Sequence, residues 1–309
     1  MIFAVRGLMV SLAFFALLYT FLSLGQFLAW KGFGSKLRKY LGANGLLMFR
    51  VAPFAVSAAV SLFLILPSFV ELETHSMDED LGTFVLAIAA LLILSAGFIR
   101  TVAAELCTRR ILNACLEDSH ELKHSTAAPL VVAPRSLSPL MMVGIRVPRV
   151  VISDATPSIL NDAELRVAVR HELAHLRARD NLKKAIFNCL PFPGMKGMLD
   201  AWQEAAELAA DEVAVANRKE ALDLAAALIK LSRHFPHQIT PDFATSLVTG
   251  TELTAKRIQR LLAWSKAPAV TAIPWRYPLF AGAVLFLTVV AKLGPALVLM
   301  HSITERLVP

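Results

Sequence analysis

Apolar and polar positions follow two regimes along this chain. Up to about residue 100, and again near the C-terminal end, charges almost vanish for some 20 residues at a time. Leu8–Trp30, Val51–Val70, Leu81–Ile99 and Tyr277–Met300 are such runs, and each has the length a helix needs to cross a bilayer. Between the third and fourth, the apolar residues become periodic. Residues 101–125 read as a helix continuing out of the third run. Residues 129–153, rich in Val, Leu, Met and Ile but broken by Pro and Gly, read as three short strands. Two of them, Leu140–Val143 and Arg149–Ile152, are expected to form a hairpin around the Gly144–Pro148 turn. A helical period then predicts helices over about 162–180, 198–218, 219–235 and 251–265. The pattern describes a mostly α membrane protein, with four transmembrane helices (three before, one after) around an α+β domain with a small β-sheet. Its parts are a three-span region 1–100, a domain at 101–276, and a last span with a short tail at 277–309.

Composition agrees with the pattern: 56% of residues are hydrophobic and 18% charged, against about 45–50% and about 25% in soluble domains. The net charge of +7 does not point to nucleic acid, because the basic residues gather beside the apolar runs. Lys31, Lys36, Arg38, Lys39 and Arg50 separate the first two runs, without an acid among them. Glu71, Glu73, Asp78, Glu79 and Asp80 separate the second and third, without Lys or Arg, and Arg100, Arg109 and Arg110 follow the third. Excess positive charge marks the cytoplasmic side of a membrane, so residues 31–50 and about 101–276 are expected in the cytoplasm, with both termini outside. Trp275 and Tyr277 suit the interface where the last span begins. The first run carries only Arg6 before it, lacks a small-x-small cleavage site and leads into a basic loop, so it is expected to be a retained span. Lys292 is a charge inside the last run; it is expected to snorkel outward or to pair with the acidic loop at 71–80. Cys107, Cys115 and Cys189 have neither the number nor the spacing of a disulfide framework or a cysteine metal knuckle.

The string H-E-x-x-H occurs twice, at His120–His124 and at His171–His175. On a helix, residues four apart share a face, so two imidazoles can reach one metal ion while the adjacent Glu acts on water. The first copy lies among Glu117, Asp118 and Lys123 and shortly before Pro129. Charges of that density resist burial, so His120 and His124 are expected on a solvated helix face. The second copy follows Asn161-Asp162-Ala163-Glu164, a capping-box pattern, and lies among Leu165, Val167, Ala168, Val169, Leu173, Ala174 and Leu176. It has the apolar surround of a core helix, with Arg177 and Arg179 near the end where cations complement the helix dipole.

A catalytic zinc commonly takes three protein ligands and leaves a place for water. Glu207 and Asp211, four apart among small apolar residues, are the best downstream candidates. Glu207 would complete a His₂Glu set, and Asp211 would orient a ligand histidine through its second ring nitrogen. Glu204 and Glu212 compete for the ligand position. A purely structural site would have no use for Glu172.

Several segments together resemble the BlaR/MecR-type integral-membrane zinc metallopeptidases. They are Pro139…Gly144…Pro148, Asn161-Asp162-Ala163-Glu164-Leu165, His171-Glu172-Leu173-Ala174-His175 with Arg179-Asp180-Asn181, Glu207-Leu208-Ala209-Ala210-Asp211, and Arg257-Ile258-Gln259-Arg260-Leu261-Leu262. The likeness covers about 130–265 and extends to the three-plus-one layout of spans. It implies a zincin-like (HExxH, gluzincin-like) domain facing the cytoplasm of a bacterial inner membrane. His171, His175 and Glu207 would be the Zn²⁺ ligands, Glu172 the general base and Asp211 the residue behind a ligand. Arg257 is a possible stabiliser of the oxyanion, though a salt bridge competes as its role. The implied substrate is a protein or peptide, such as a transcriptional repressor or the chain itself, with no direct contact to nucleic acid. The chain ends at Pro309 without the penicillin-binding sensor of familiar members, so β-lactam sensing is not implied. HtpX-type membrane proteases share the HExxH and Glu-x-x-x-Asp logic but split their spans more evenly, and a non-catalytic, metal-stabilised transducer is the alternative outside enzymes.

Overall fold

A computed structural model of the chain describes residues 2–72, 81–116, 119–122, 130–134, 138–190, 192, 194–235, 241–248, 250–264, 298–299 and 302–303. The expected fourth span, apart from 298–299, lies outside the described residues, as do Lys292 and residues 73–80 of the acidic loop.

The N-terminal apolar runs form helices longer than the runs themselves. Helix α1 covers Ile2–Tyr40. Helix α2 (Ala43–Val60) continues through a π-helical stretch at Ser61–Ile65 into α3 (Leu66–Leu72), and α4 covers Leu81–Leu116. By length and composition three of these continuous helices, Phe3–Tyr40, Ala43–Glu71 and Leu81–Leu116, can cross a membrane. At 1.5 Å per residue the 39 residues of α1 extend about 58 Å, roughly twice a hydrocarbon core of about 30 Å. Arg38 and Lys39 therefore end a helix that reaches well past the apolar layer. Phe15, Tyr19 and Ala90 pack inside the bundle, with Phe54 against them, while Phe21, Leu28, Leu92 and Phe98 remain exposed as a lipid-facing surface would.

The helix expected over 101–125 ends at Leu116. Strand β1 (His120–Leu122) follows, so the first H-E-x-x-H string begins in a strand and not on the solvated helix face its charges suggested. The sheet continues with β2 (Leu130–Ala133), β3 (Leu140–Val143) and β4 (Arg149–Ser153), the three strands expected from the sequence. A fifth, β5 (Ala244–Ser246), comes from far downstream. The order is β1-β2-β4-β3-β5; β2 and β4 run parallel and the other neighbours antiparallel. The strands within 130–153 are thus internal, with no exposed edge among the described residues.

After a short α5 (Thr156–Ile159), helix α6 (Asp162–Ala178) opens with the capping box its sequence announced. Asn161 accepts from the Glu164 amide, and the Glu164 carboxylate accepts from the Asn161 amide. It stops where Arg179 adopts a left-handed φ of 55°, a conformation non-glycine residues seldom take. The chain turns there into α7 (Asp180–Cys189), a helix that the periodicity did not predict. Helices α8 (Lys196–Ala214), α9 (Arg218–His234) and α10 (Thr251–Leu262) complete the domain. Leu140, Met142 and Ile152 of the sheet meet Val167 and Ala168 of α6 and Leu224 and Leu228 of α9 in the main core.

A second core crosses between the long N-terminal helices and the later ones: Trp30 and Leu46 pack with Phe187, Met198, Trp202 and Ala206. A polar relay runs through the same region. Pro53 lies inside α2 and has no N–H, so the carbonyl four residues earlier, on Phe49, loses its helical donor. The Gln26 side-chain amide donates to that carbonyl instead. Buried Arg50 then donates to Gln26 Oε1 at 3.3 Å and to the Leu190 carbonyl at the end of α7. One missing backbone donor is thereby converted into a tie between α1, α2 and α7. Gln26→Leu is expected to lower stability by about 1–3 kcal/mol, the range for an orphaned buried acceptor. Pro53→Ala, by restoring the helical donor, should recover part of that loss in the double variant. Thermal unfolding in detergent would measure both, and strictly additive effects would contradict the relay.

Candidate metal centre

Helix α6 carries the second H-E-x-x-H string with its side chains fully buried: His171, Glu172 and His175 have no exposed surface. One helical turn separates the imidazoles, and their Nε2 atoms approach to 3.1 Å with the rings nearly perpendicular. Helix α8 brings the Glu207 carboxylate alongside, with Oε2 3.3 Å from His171 Nε2 and Oε1 3.6 Å from His175 Nε2. Ligand atoms of these three residues all lie within 4.8 Å of one another. A tetrahedral zinc with bonds of about 2.0–2.1 Å separates its donors by about 3.3 Å, so the three spacings bracket what such an ion requires. The donor set fits. No cysteine belongs to the cluster.

The far side of each ring is held by a carboxylate. Asp211 Oδ1 lies 3.0 Å from His171 Nδ1, and Asp180 Oδ2 lies 2.7 Å from His175 Nδ1. With Nδ1 of each ring facing an acid, Nε2 is the nitrogen left to coordinate a metal once any proton on it is displaced, Arg257 Nη2 lying 3.3 Å from that of His171. Asp180 is in place because Arg179 turns the chain; the sequence reading gave it no role at the centre. Lys183 Nζ contacts its other oxygen at 3.0 Å.

Arg257 of α10 neutralises the acids from the opposite side. It is fully buried and donates through Nε and Nη2 to the two oxygens of Asp211, at 2.8 and 2.7 Å. Its Nη1 donates to the Leu247 carbonyl at 2.7 Å and lies 2.8 Å from Glu207 Oε2, a charge contact and not an aligned hydrogen bond. The competing acids turn outward onto the same helix, Glu204 to Lys256 and Glu212 to Arg260.

Glu172 is oriented differently from the ligand set. Its Oε2 accepts from the Met142 amide of β3 at 3.0 Å and from Thr245 Oγ1 of β5 at 3.1 Å. Its Oε1 is buried and lacks a hydrogen-bond partner among the described residues.

Burial shifts these groups strongly. It lifts Glu172 to about 7 against the pull of both histidines. Burial opposes charge on His175, yet Glu207 and Asp180 together push that imidazole up to about 10. Burial also works against the charged forms of Glu207 and Asp211, but Arg257 leads the interactions that hold both below the ordinary carboxylate range.

Long apolar helices joined to a domain with a buried two-histidine, one-carboxylate centre define a multi-pass membrane protein of the metallopeptidase kind. Residues 81–261, more than half of the chain, match the BlaR1 peptidase M56 family model. The chain belongs to that family, as its motifs suggested. No curated protein matches the chain.

Two outcomes follow from the geometry. A proton sits on His175 below about pH 10, so zinc uptake by chelator-treated protein at pH 7 should release at least one proton and tighten as pH rises. Calorimetry in buffers of different ionisation enthalpy would detect it, and heats independent of buffer would contradict it. Asp180→Asn should weaken zinc binding by about 10–100-fold, read by competition with a chromogenic chelator; unchanged affinity would show that Asp180 does not orient His175.

Proposed function

We propose that the chain is a zinc endopeptidase that cleaves a cytoplasmic or membrane-proximal protein substrate in regulated signalling. The observation that carries this is the pairing of the His171–His175–Glu207 cluster with a buried Glu172 that has one oxygen unpartnered. Bound at the cluster, zinc would supply the Lewis acidity that polarises a carbonyl and acidifies water. Glu172, near pH 7 through burial, then takes the proton of the attacking water at Oε1 and returns it to the leaving amine. Met142 N–H and Thr245 hold the other oxygen and so fix the carboxylate. The donors of Arg257 are engaged by Asp211, the Leu247 carbonyl and Glu207, with Nη2 also 3.3 Å from His171 Nε2, so we assign it to holding the acids of the cluster and not to the oxyanion.

The basic loop at 31–50 and the arginines after the third span support a cytoplasmic face for this domain, in a bacterial inner membrane with both termini outside. Strand β5 lies on β3 beside Glu172, the place an extended substrate would take by strand addition. An external substrate such as a transcriptional repressor would displace it; in self-cleavage this segment is itself the substrate. A non-catalytic transducer would leave the buried, half-satisfied Glu172 without a purpose.

Glu172→Gln is expected to keep zinc and fold while cleavage of the chain or of a cytoplasmic partner falls by about 10²–10⁴-fold. Mass spectrometry of the chain's own fragments, with and without candidate repressors, would read the change. Equal fragment yields from wild type and Glu172→Gln would sink the enzyme reading.

A further inference from the structure

Helix α7 carries a stripe that the chemistry above does not use in full. Asp180, Lys184 and Asn188 are spaced four apart and so share a face. Asp180 begins at His175. Asn188 ends at an open groove of about 370 Å³ that also touches Asp242. Between them, Lys184 Nζ donates to the main-chain carbonyl of Ala244.

The position of that carbonyl gives the contact its meaning. Gly144 N donates to the Phe243 carbonyl at 3.1 Å and Leu247 N to the Leu140 carbonyl at 3.2 Å, so residues 243 and 247 turn their backbone groups toward β3. Antiparallel pairing alternates, which turns the Ala244 carbonyl to the outer side, away from β3. Ala244 immediately precedes Thr245, whose hydroxyl reaches Glu172. A lysine ammonium therefore grips the outer side of the strand whose next residue reaches Glu172. Burial lowers the Lys184 pKa, while Glu207, Asp180, Glu172 and Asp242 pull it the other way.

We propose that Lys184 is a substrate-binding residue of the peptidase, capturing one main-chain carbonyl of an extended protein substrate that lies along β3 in the place of β5. Met142 and Glu172 face the inner side of that strand, Lys184 the outer side, and the groove at Asn188 and Asp242 receives the chain as it leaves the centre. Recognition through a backbone carbonyl is indifferent to side chains, so the lysine sets the placement of the substrate and not its sequence. This assignment rests on the peptidase reading above.

The test uses the full chain in detergent with Glu172→Gln, so that binding is read without turnover. The probe is a peptide of residues 241–250, compared with an analogue in which the Ala244–Thr245 amide is replaced by an alkene. The chain's own β5 competes equally with both peptides, so the ratio of their Kd values cancels that competition. With Lys184 present, the analogue should bind about tenfold more weakly or worse, as loss of a charge-assisted hydrogen bond implies. Lys184→Met should reduce that discrimination several-fold, and Lys184→Arg should restore it; a merely structural lysine would leave the ratio unmoved. An equal ratio in Lys184→Met and its parent, or no saturable binding of the peptide, would overturn the proposal. Loss of discrimination together with an inactive wild type would instead sink the peptidase reading and leave Lys184 as a backbone-binding residue.

Discussion

Buried negative charge is the constraint around which the domain is organised. Glu172, Asp180, Glu207 and Asp211 all lie within the interior, each less than a tenth exposed. Carboxylates are stable there only if neutralised or hydrogen-bonded. Arg257 answers two of them, Lys183 and His175 answer Asp180, and the paired histidines face Glu207. What remains still favours a cation: against burial, Glu207 and Asp180 push the His175 imidazole up to about 10. A dication placed there replaces the imidazole proton and meets the same demand with more charge. Metal affinity and the folding of α6, α8 and α10 around one another are therefore two expressions of the same electrostatics.

The membrane part is not a separate anchor in this arrangement. Trp30 and Leu46 share a core with Trp202 and Ala206, and Ala206 adjoins Glu207 of the candidate metal cluster in sequence. Arg50 ties α2 to the end of α7, whose beginning holds Asp180 against His175. Displacement of α1 or α2 would thus press on α7, which begins at Asp180, and on α8, which carries Glu207.

How much of this was legible in the sequence follows from how local each signal is. The capping box at Asn161 and Glu164, the i, i+4 histidines and the acids at 207 and 211 each lie within one or two helical turns, and all were readable as candidates. The hairpin around Gly144 showed in the same way. What escaped depended on distance or on a single torsion. Arg179 bends the chain without a glycine or proline to announce it, hiding both α7 and the role of Asp180. Strand β5 is three residues long and pairs with β3 about a hundred residues away, below what alternation can reveal. Charge around His120 suggested a solvated helix, whereas pairing with Val132 draws that segment into a strand. Arg257 faced an open choice between oxyanion and salt bridge, and only the approach of α10 to Asp211, 46 residues earlier, gives it partners.

The central claim is that two imidazoles and one carboxylate hold the ion. X-ray absorption at the zinc edge of the purified, zinc-loaded chain tests it without recourse to any substrate. Two imidazole nitrogens and light oxygen scatterers at about 2.0–2.1 Å, with one imidazole lost in His175→Ala, are the expected result. A sulfur shell at about 2.3 Å, or a spectrum unchanged by His175→Ala, would contradict the account.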